Sequence, residues 1–314
     1  MKSKAVFFTG IKSVEIREID IPEPEYNEVQ VKNLVNGICM FDVWVYNRWE
    51  WTDKPFIPGH EGIGVVTKTG KGVKSVKEGD LVTTRNWIEH YNVNEDEVMK
   101  LTGSPQNLEK FMIEPALCVV TAAHYSNIYP GERVILFGAG YIGLLFNQLL
   151  AVYPLAEIVV VDIKEENLKL AKEFGVTEIV NSMTREGKER INELMETPFD
   201  MTYECSGAKE PLDLCTKLTR KGGRIGIYAW HHDPRIVDTN IWHRYGLQIL
   251  NLSPGIRFGE RSFKCFKAAE NLMYAGKIYQ DKLVTHKYHF TDIKKAMDES
   301  VERPDGFLKS ILVF

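Results

Sequence analysis

Along the first third of the chain apolar and polar positions alternate. Val14-Glu15-Ile16-Arg17-Glu18-Ile19 and Glu28-Val29-Gln30-Val31-Lys32-Asn33-Leu34-Val35, separated by Pro22-Glu23-Pro24, each set most of their apolar side chains on one face of an extended chain. This period of two predicts half-buried antiparallel strands. Gly62 to Thr69 and Asp80 to Thr84 continue the pattern, with turns at Gly70, Gly72 and Gly79. Residues 86–110 are polar and weakly periodic, and predict a short helical or irregular excursion.

From about Ala122 the grammar changes. Strands Val134–Phe137, Ile158–Val161, Glu178–Val180, Asp200–Glu204 and Arg224–Tyr228 alternate with helical stretches Ile142–Val152, Glu165–Phe174, Lys188–Met195 and Glu210–Leu218. Repeated strand–helix units predict a doubly wound parallel α/β sheet of the Rossmann type. After Asn251-Leu252-Ser253-Pro254 come an amphipathic helix, Ser262 to Tyr274, and a strand–helix–strand ending at Ile311-Leu312-Val313-Phe314. That tail is expected to rejoin the first domain. The expected domains are residues 1–118, 119–256 and 257–314.

The first parallel strand runs into Gly138-Ala139-Gly140-Tyr141-Ile142-Gly143, and the second ends at Asp162. Gly138 permits a tight turn, Gly140 lets the backbone approach a pyrophosphate, and Gly143 lets the helix pack closely on the strand. The helix N-terminus attracts phosphate charge. Asp162 lies at the spacing of about 20 residues expected of an acid that holds ribose hydroxyls. That acid disfavours a 2'-phosphate, and Ile163 and Lys164 beside it supply only one cation, so NAD is preferred over NADP. Ser206-Gly207 and Tyr228-Ala229 follow later strands, where a cofactor lies in such sheets. His231-His232 would face opposite ways on an extended chain, which does not favour a second metal site.

Composition narrows the class of protein. With 44% hydrophobic and 26% charged residues the chain is a folded globular protein, and a net charge of -4 gives no basic field for nucleic acid. No apolar run approaches a membrane span, and the start of the chain is too short in apolar residues for a signal-peptide core; a cytoplasmic protein is expected. The five cysteines are scattered without a Cys-x-x-Cys pair, which argues against disulfides and against a four-cysteine structural zinc site.

Ahead of the glycine turn, Cys39, Gly59-His60-Glu61 and Glu114-Pro115 stand in segments read as turns or strand ends. Thiolate, imidazole and carboxylate are zinc's three protein ligand types. Taken singly, Cys39 is more often a buried apolar thiol and His60 a satisfied loop histidine.

In order along the chain, Gly37-Ile38-Cys39-Met40-Phe41-Asp42, Pro58-Gly59-His60-Glu61-Gly62-Ile63-Gly64-Val65-Val66, Gly79-Asp80-Leu81-Val82, Glu114-Pro115-Ala116-Leu117-Cys118-Val119 and Pro130-Gly131-Glu132-Arg133-Val134 resemble segments of the medium-chain, zinc-dependent alcohol dehydrogenase superfamily. The resemblance spans nearly the whole chain and is strongest to the sorbitol, glucose and threonine dehydrogenase branch, where a glutamate takes the last zinc position. It implies a β-rich GroES-like catalytic domain before the Rossmann domain and an active site between them. It makes Cys39, His60 and Glu114 zinc ligands, with Glu61 either a direct ligand or linked through water. Asp42 would orient His60.

Three departures stand out. Phe41 replaces the usual hydroxyl residue of the proton relay and Trp44 a frequent histidine, which leaves Tyr46 or water to move the proton. Trp44, Tyr46, Trp49 and Trp51 either line a substrate cleft or pack in the core. The structural-zinc lobe of many relatives is missing, so one catalytic zinc per chain is expected. The resemblance thus implies a zinc- and NAD-dependent oxidoreductase acting on a secondary alcohol of a polyol, sugar or sugar acid, as a homodimer or homotetramer. A zinc-free quinone-type reductase and a non-catalytic NAD-binding regulatory protein are the alternatives.

Overall fold

The computed structural model describes residues 1–50, 52–252 and 260–314, and the side chains of 260–263 are left aside. Trp51 and the Ser253-Pro254 pair lie outside the described residues. The chain divides into two compact units. The first comprises Met1–Ala116, Phe258–Met273 and Tyr279–Phe314; the second comprises Leu117–Arg257 and Tyr274–Ile278.

In the first unit β1 (Lys2–Gly10) and β2 (Ser13–Asp20) form an antiparallel pair. The remaining strands are β3 (Glu28–Gly37), β4 (Glu61–Thr69), β5 (Leu81–Thr84), β6 (His90–Asn94), and, from the chain's end, β13 (Val284–His289) and β14 (Lys309–Val313). They follow the order β13-β14-β3-β4-β5, with β6 added on β3. Helix α1 (Met40–Arg48) follows β3, and α9 (Ile293–Glu302) packs against α1 and β14. Their shared core joins Val6, Phe8, Val45, Tyr46, Trp87, Phe290 and Leu312.

Residues 86–110 are more ordered than the polar pattern predicts. β6 pairs with β3 from Glu28↔Asn94 to Lys32↔His90, using main-chain hydrogen bonds that hydropathy does not register. Beyond it, fully buried Glu270 on α8 (Glu260–Tyr274) accepts hydrogen bonds from the Thr102 amide at 2.5 Å and its hydroxyl at 2.6 Å. A buried carboxylate with two such donors fixes this loop.

The second unit is a parallel sheet in the order β12-β11-β10-β7-β8-β9. Its strands are β7 (Arg133–Phe137), β8 (Glu157–Asp162), β9 (Glu178–Asn181), β10 (Phe199–Glu204), β11 (Thr219–Ile227) and β12 (Gln248–Asn251). The intervening helices are α3 (Tyr141–Leu150), α4 (Glu165–Glu173), α5 (Arg185–Leu194), α6 (Lys209–Leu218) and α7 (Thr239–Tyr245). Helix α2 (Ile113–Ser126) precedes β7. The strand order reverses beside β7, as in a doubly wound sheet. The near-continuous apolar runs Val134–Phe137 and Ile158–Val161 are buried because helices cover both faces of such a sheet.

Two expected segments change character. Glu114-Pro115 lies in the first turn of α2, where proline lacks only a hydrogen bond that the helix start cannot make anyway. Cys39 is the N-cap of α1. Among the described residues, no helix is long and apolar enough to cross a membrane.

Candidate metal and dinucleotide sites

Glu61, the first residue of β4, pairs with Gly37 at the end of β3, and Cys39 follows two residues later as the chain turns into α1. This register brings Cys39, His60 and Glu61 together, their ligand atoms all within 4.8 Å of one another. It is the one such group of His, Cys, Asp and Glu among the described residues. Tetrahedral zinc at about 2.0–2.3 Å from its ligands would set them roughly 3.3–3.8 Å apart, so small side-chain adjustments suffice. A thiol, an imidazole and a carboxylate at this spacing fit zinc.

Asp42 holds the group from behind. Its carboxylate accepts a hydrogen bond from the Cys39 amide at 2.9 Å and faces His60 Nδ1 at 3.9 Å, beyond hydrogen-bond range. The carboxylate is almost fully buried. Phe41 sets its ring edge-on to His60, with centroids 6.2 Å apart.

Glu61 carries a partner that sequence reasoning missed. Lys309, the first residue of β14, forms an ion pair with it, and the two side chains are 5% and 3% exposed. Lys309 also donates to the Ile38 carbonyl at 3.0 Å. The available signal was a lysine opening a largely apolar terminal strand, Lys309-Ser310-Ile311-Leu312-Val313. Glu114 stands outside the close group, but its charge acts on both His60 and Lys309.

The electrostatics follow from burying this many charges. Burial pushes the Cys39 thiol up, with Glu61 adding to the effect, and pushes the Asp42 carboxyl up against the pull of His60. For His60 burial opposes the charged form, but Asp42, Cys39 and Glu114 outweigh it and hold the imidazole well above its ordinary value. Lys309 behaves likewise: burial lowers it, yet Glu61, Cys39 and Glu114 leave it raised. A divalent cation binding here would have to displace any protons carried by Cys39 and His60.

Tyr46 is not brought into this group. Its hydroxyl donates to Asp298 Oδ1 at 2.9 Å, with the Lys12 carbonyl 3.1 Å away, and the side chain is fully buried. Burial and then Asp298 raise its pKa. A phenol committed to α9 does not serve as the proton relay. Trp44 and Trp49 likewise pack against the first unit's core, Trp49 at 6.1 Å from Phe56.

In the second unit Gly138 has φ +102°, and a Cβ there would lie 2.8 Å from the Ser206 nitrogen. A Cβ at Gly143 would lie 1.9 Å from the Gly138 carbonyl oxygen, so both positions demand glycine. Gly140, the N-cap of α3, has nothing within 4 Å of its Cβ position, leaving its face open to a phosphate. Asp162 accepts hydrogen bonds from the amides of Ala139 at 2.5 Å and of Ile163 and Lys164, each at 2.8 Å. The acid is thereby fixed beside the glycine turn.

Tyr141 is buried, Ile142 half-buried and Ile163 61% exposed beside Asp162. Ser206 donates to Glu204, and buried Tyr228 packs on Phe146 at 5.6 Å. An open cradle at Gly140 with a fixed acid nearby fits a dinucleotide.

A family model described as Alcohol dehydrogenase GroES-like domain matches residues 25–122, and one described as Zinc-binding dehydrogenase matches residues 142–268. D-xylulose reductase of Saccharomyces cerevisiae is 25% identical over 95% of this chain and 94% of its own length. Sorbitol dehydrogenase 1 of the same yeast is also 25% identical, over 98% and 97%. The crystal structure of galactitol-1-phosphate dehydrogenase from Escherichia coli shares the fold, with a TM-score of 0.87 at 21% identity over 99% of this chain and 100% of that one.

Proposed function

This chain belongs to the medium-chain, zinc-dependent alcohol dehydrogenase superfamily, in its polyol branch, and we propose that it transfers a hydride between NAD and a secondary alcohol or ketone of a polyol, sugar or sugar acid. The observation that carries this reading is the convergence of Cys39, His60 and Glu61 within 4.8 Å.

In this reading Cys39, His60 and Glu61 hold one zinc ion, with Glu114 completing the set and Glu61 shared with Lys309. Zinc, when bound, polarises the reacting oxygen and favours loss of the alcohol proton. Asp42 fixes Cys39 through its amide, and Lys309 pairs with the Glu61 carboxylate in a buried setting. Phe41 packs edge-on against one side of His60. With no hydroxyl at position 41 and the Tyr46 hydroxyl engaged elsewhere, the alcohol proton leaves through water. In the second unit the open turn at Gly140 receives the pyrophosphate and Asp162 the ribose hydroxyls, which favours NAD.

The test is NADH formation across a panel of polyols, aldonates and uronates, before and after chelation. Turnover on one substrate class, lost on chelation and restored by zinc, is the expected result. Reduction of an activated double bond without metal would establish the zinc-free reductase instead. Dinucleotide binding with no hydride transfer to any carbonyl would establish a regulatory protein.

A further inference from the structure

His231 and His232 do face opposite ways, and each has its own surroundings. His232 packs on Trp230 with ring centroids 4.4 Å apart, while His231 turns back to the end of β10. There the carboxylate of Glu204 is fully buried. One of its oxygens takes the Ser206 hydroxyl and the amides of Ser206 and Gly207, at 2.8 and 2.9 Å for the amides. The other lies 2.8 Å from His231 Nε2.

On the far side of the ring, Arg235 Nε donates to His231 Nδ1 at 3.2 Å, and Arg235 Nη2 donates to the Gly207 carbonyl at 3.2 Å. Because Nδ1 accepts from a guanidinium, the ring proton sits on Nε2 and is donated to Glu204. A buried acid, a neutral imidazole of fixed tautomer and an arginine thus form one chain. Two bonds pin the arginine, and its Nη1 edge has no protein partner among the described residues.

The position of this chain says what the free edge meets. Ser206 lies against Gly138, the first glycine of the phosphate-binding turn. Asp162 ends β8 on one side of β7, whereas Glu204 and Ile227 end β10 and β11 on the other. A dinucleotide lies across that reversal, its adenosine half toward the acid after β8 and its second half toward β10. A rigid guanidinium edge suits phosphate oxygens and ribose hydroxyls.

We propose that Arg235 binds the nicotinamide-side phosphoribosyl group of the cofactor and that His231, braced by Glu204, is its positioning residue. The proposal rests on the reading of the second unit as a dinucleotide site. It assigns that half of the cofactor a cation that the glycine turn and Asp162 do not supply.

The experiment is calorimetric titration of the full-length protein with NADH, ADP-ribose and AMP. AMP carries only the adenosine half and reports the dinucleotide reading by itself. Arg235→Met is expected to weaken NADH and ADP-ribose about 10- to 100-fold while leaving AMP within about twofold, the loss of one charged hydrogen-bonding anchor. Arg235→Lys, which keeps the charge without the fork, should fall between.

His231→Leu should match Arg235→Met, and His231→Gln, which can donate to Glu204 and accept from Arg235, should restore most of the affinity. Unchanged ADP-ribose binding in Arg235→Met, or equal loss of AMP and ADP-ribose in both Arg235 variants, would overturn the proposal. Wild-type protein that binds neither AMP nor NADH would overturn the dinucleotide reading along with it.

Discussion

Glu61 on β4 and Lys309 on β14 form an ion pair across the end of β3, both side chains nearly withdrawn from solvent at 3% and 5% exposure. Ions buried this far lose several kcal/mol of hydration each, and their mutual attraction mainly offsets that loss. Removing one partner therefore costs more than removing both. Lys309→Met should destabilise the protein by about 3–5 kcal/mol, because it strands a buried carboxylate. Adding Glu61→Gln should recover most of the loss, as a double-mutant cycle by urea unfolding will read; additive losses would show that the pair is not coupled.

The pair is possible because residue 37 has no side chain. A Cβ at Gly37 would lie 2.0 Å from Glu61 Oε2, so Gly37→Ala must swing that carboxylate aside. An expected loss of about 1–3 kcal/mol in stability, together with weaker zinc retention, distinguishes this from a backbone effect. Thermal unfolding and zinc content of the variant check both parts.

In the proposed function Asp162 is expected to govern which cofactor is accepted. Its carboxylate is held by the Ala139, Ile163 and Lys164 amides next to the glycine turn, so a 2'-phosphate would meet a fixed negative charge. Asp162→Ser should weaken NADH binding by about tenfold and narrow or reverse the preference over NADPH. Parallel fluorescence titrations with the two nucleotides measure it, and an unchanged NADH to NADPH ratio would refute the assignment.

Asp200 gives the second unit an acid-sensitive clamp. Burial would raise its pKa, but the Arg133 amide at 2.9 Å and the Arg220 guanidinium at 2.6 Å outweigh that and lower it. A carboxyl that is more acidic folded than unfolded stabilises above the ordinary carboxylate pKa of about 3.9, and that contribution is lost as pH falls through the folded value. The stability advantage of wild type over Asp200→Asn should hold at pH ~6 and shrink below pH ~4. Urea midpoints across that range check it; a constant difference would mean that the clamp is not electrostatic.

What the sequence disclosed follows from how locally each feature is encoded. The turn Gly138 to Gly143, the acid at Asp162 and the alternating strands are patterns of adjacent residues, and the structure reproduces them in place. Cys39, His60 and Glu61 could be nominated by residue type, and their meeting depends on the register of β3 on β4. Lys309 arrives 248 residues after Glu61 through the pairing of β14 with β3, a juxtaposition no local pattern contains. Arg235 and His231 were hidden for a similar reason, since their meaning comes from Glu204, on a different strand. Tyr46 looked available because helix α1 sets it near Cys39 in sequence, but the helix turns its hydroxyl toward α9.

The account depends most on Cys39 and His60 holding a metal ion. Elemental analysis of purified protein, beside a Cys39→Ser/His60→Asn variant shown by circular dichroism to be folded, tests this directly. About one zinc per chain in the wild type and almost none in the variant is the predicted result. A wild-type protein that takes up no zinc after reconstitution, or a variant that retains it in full, would contradict the account.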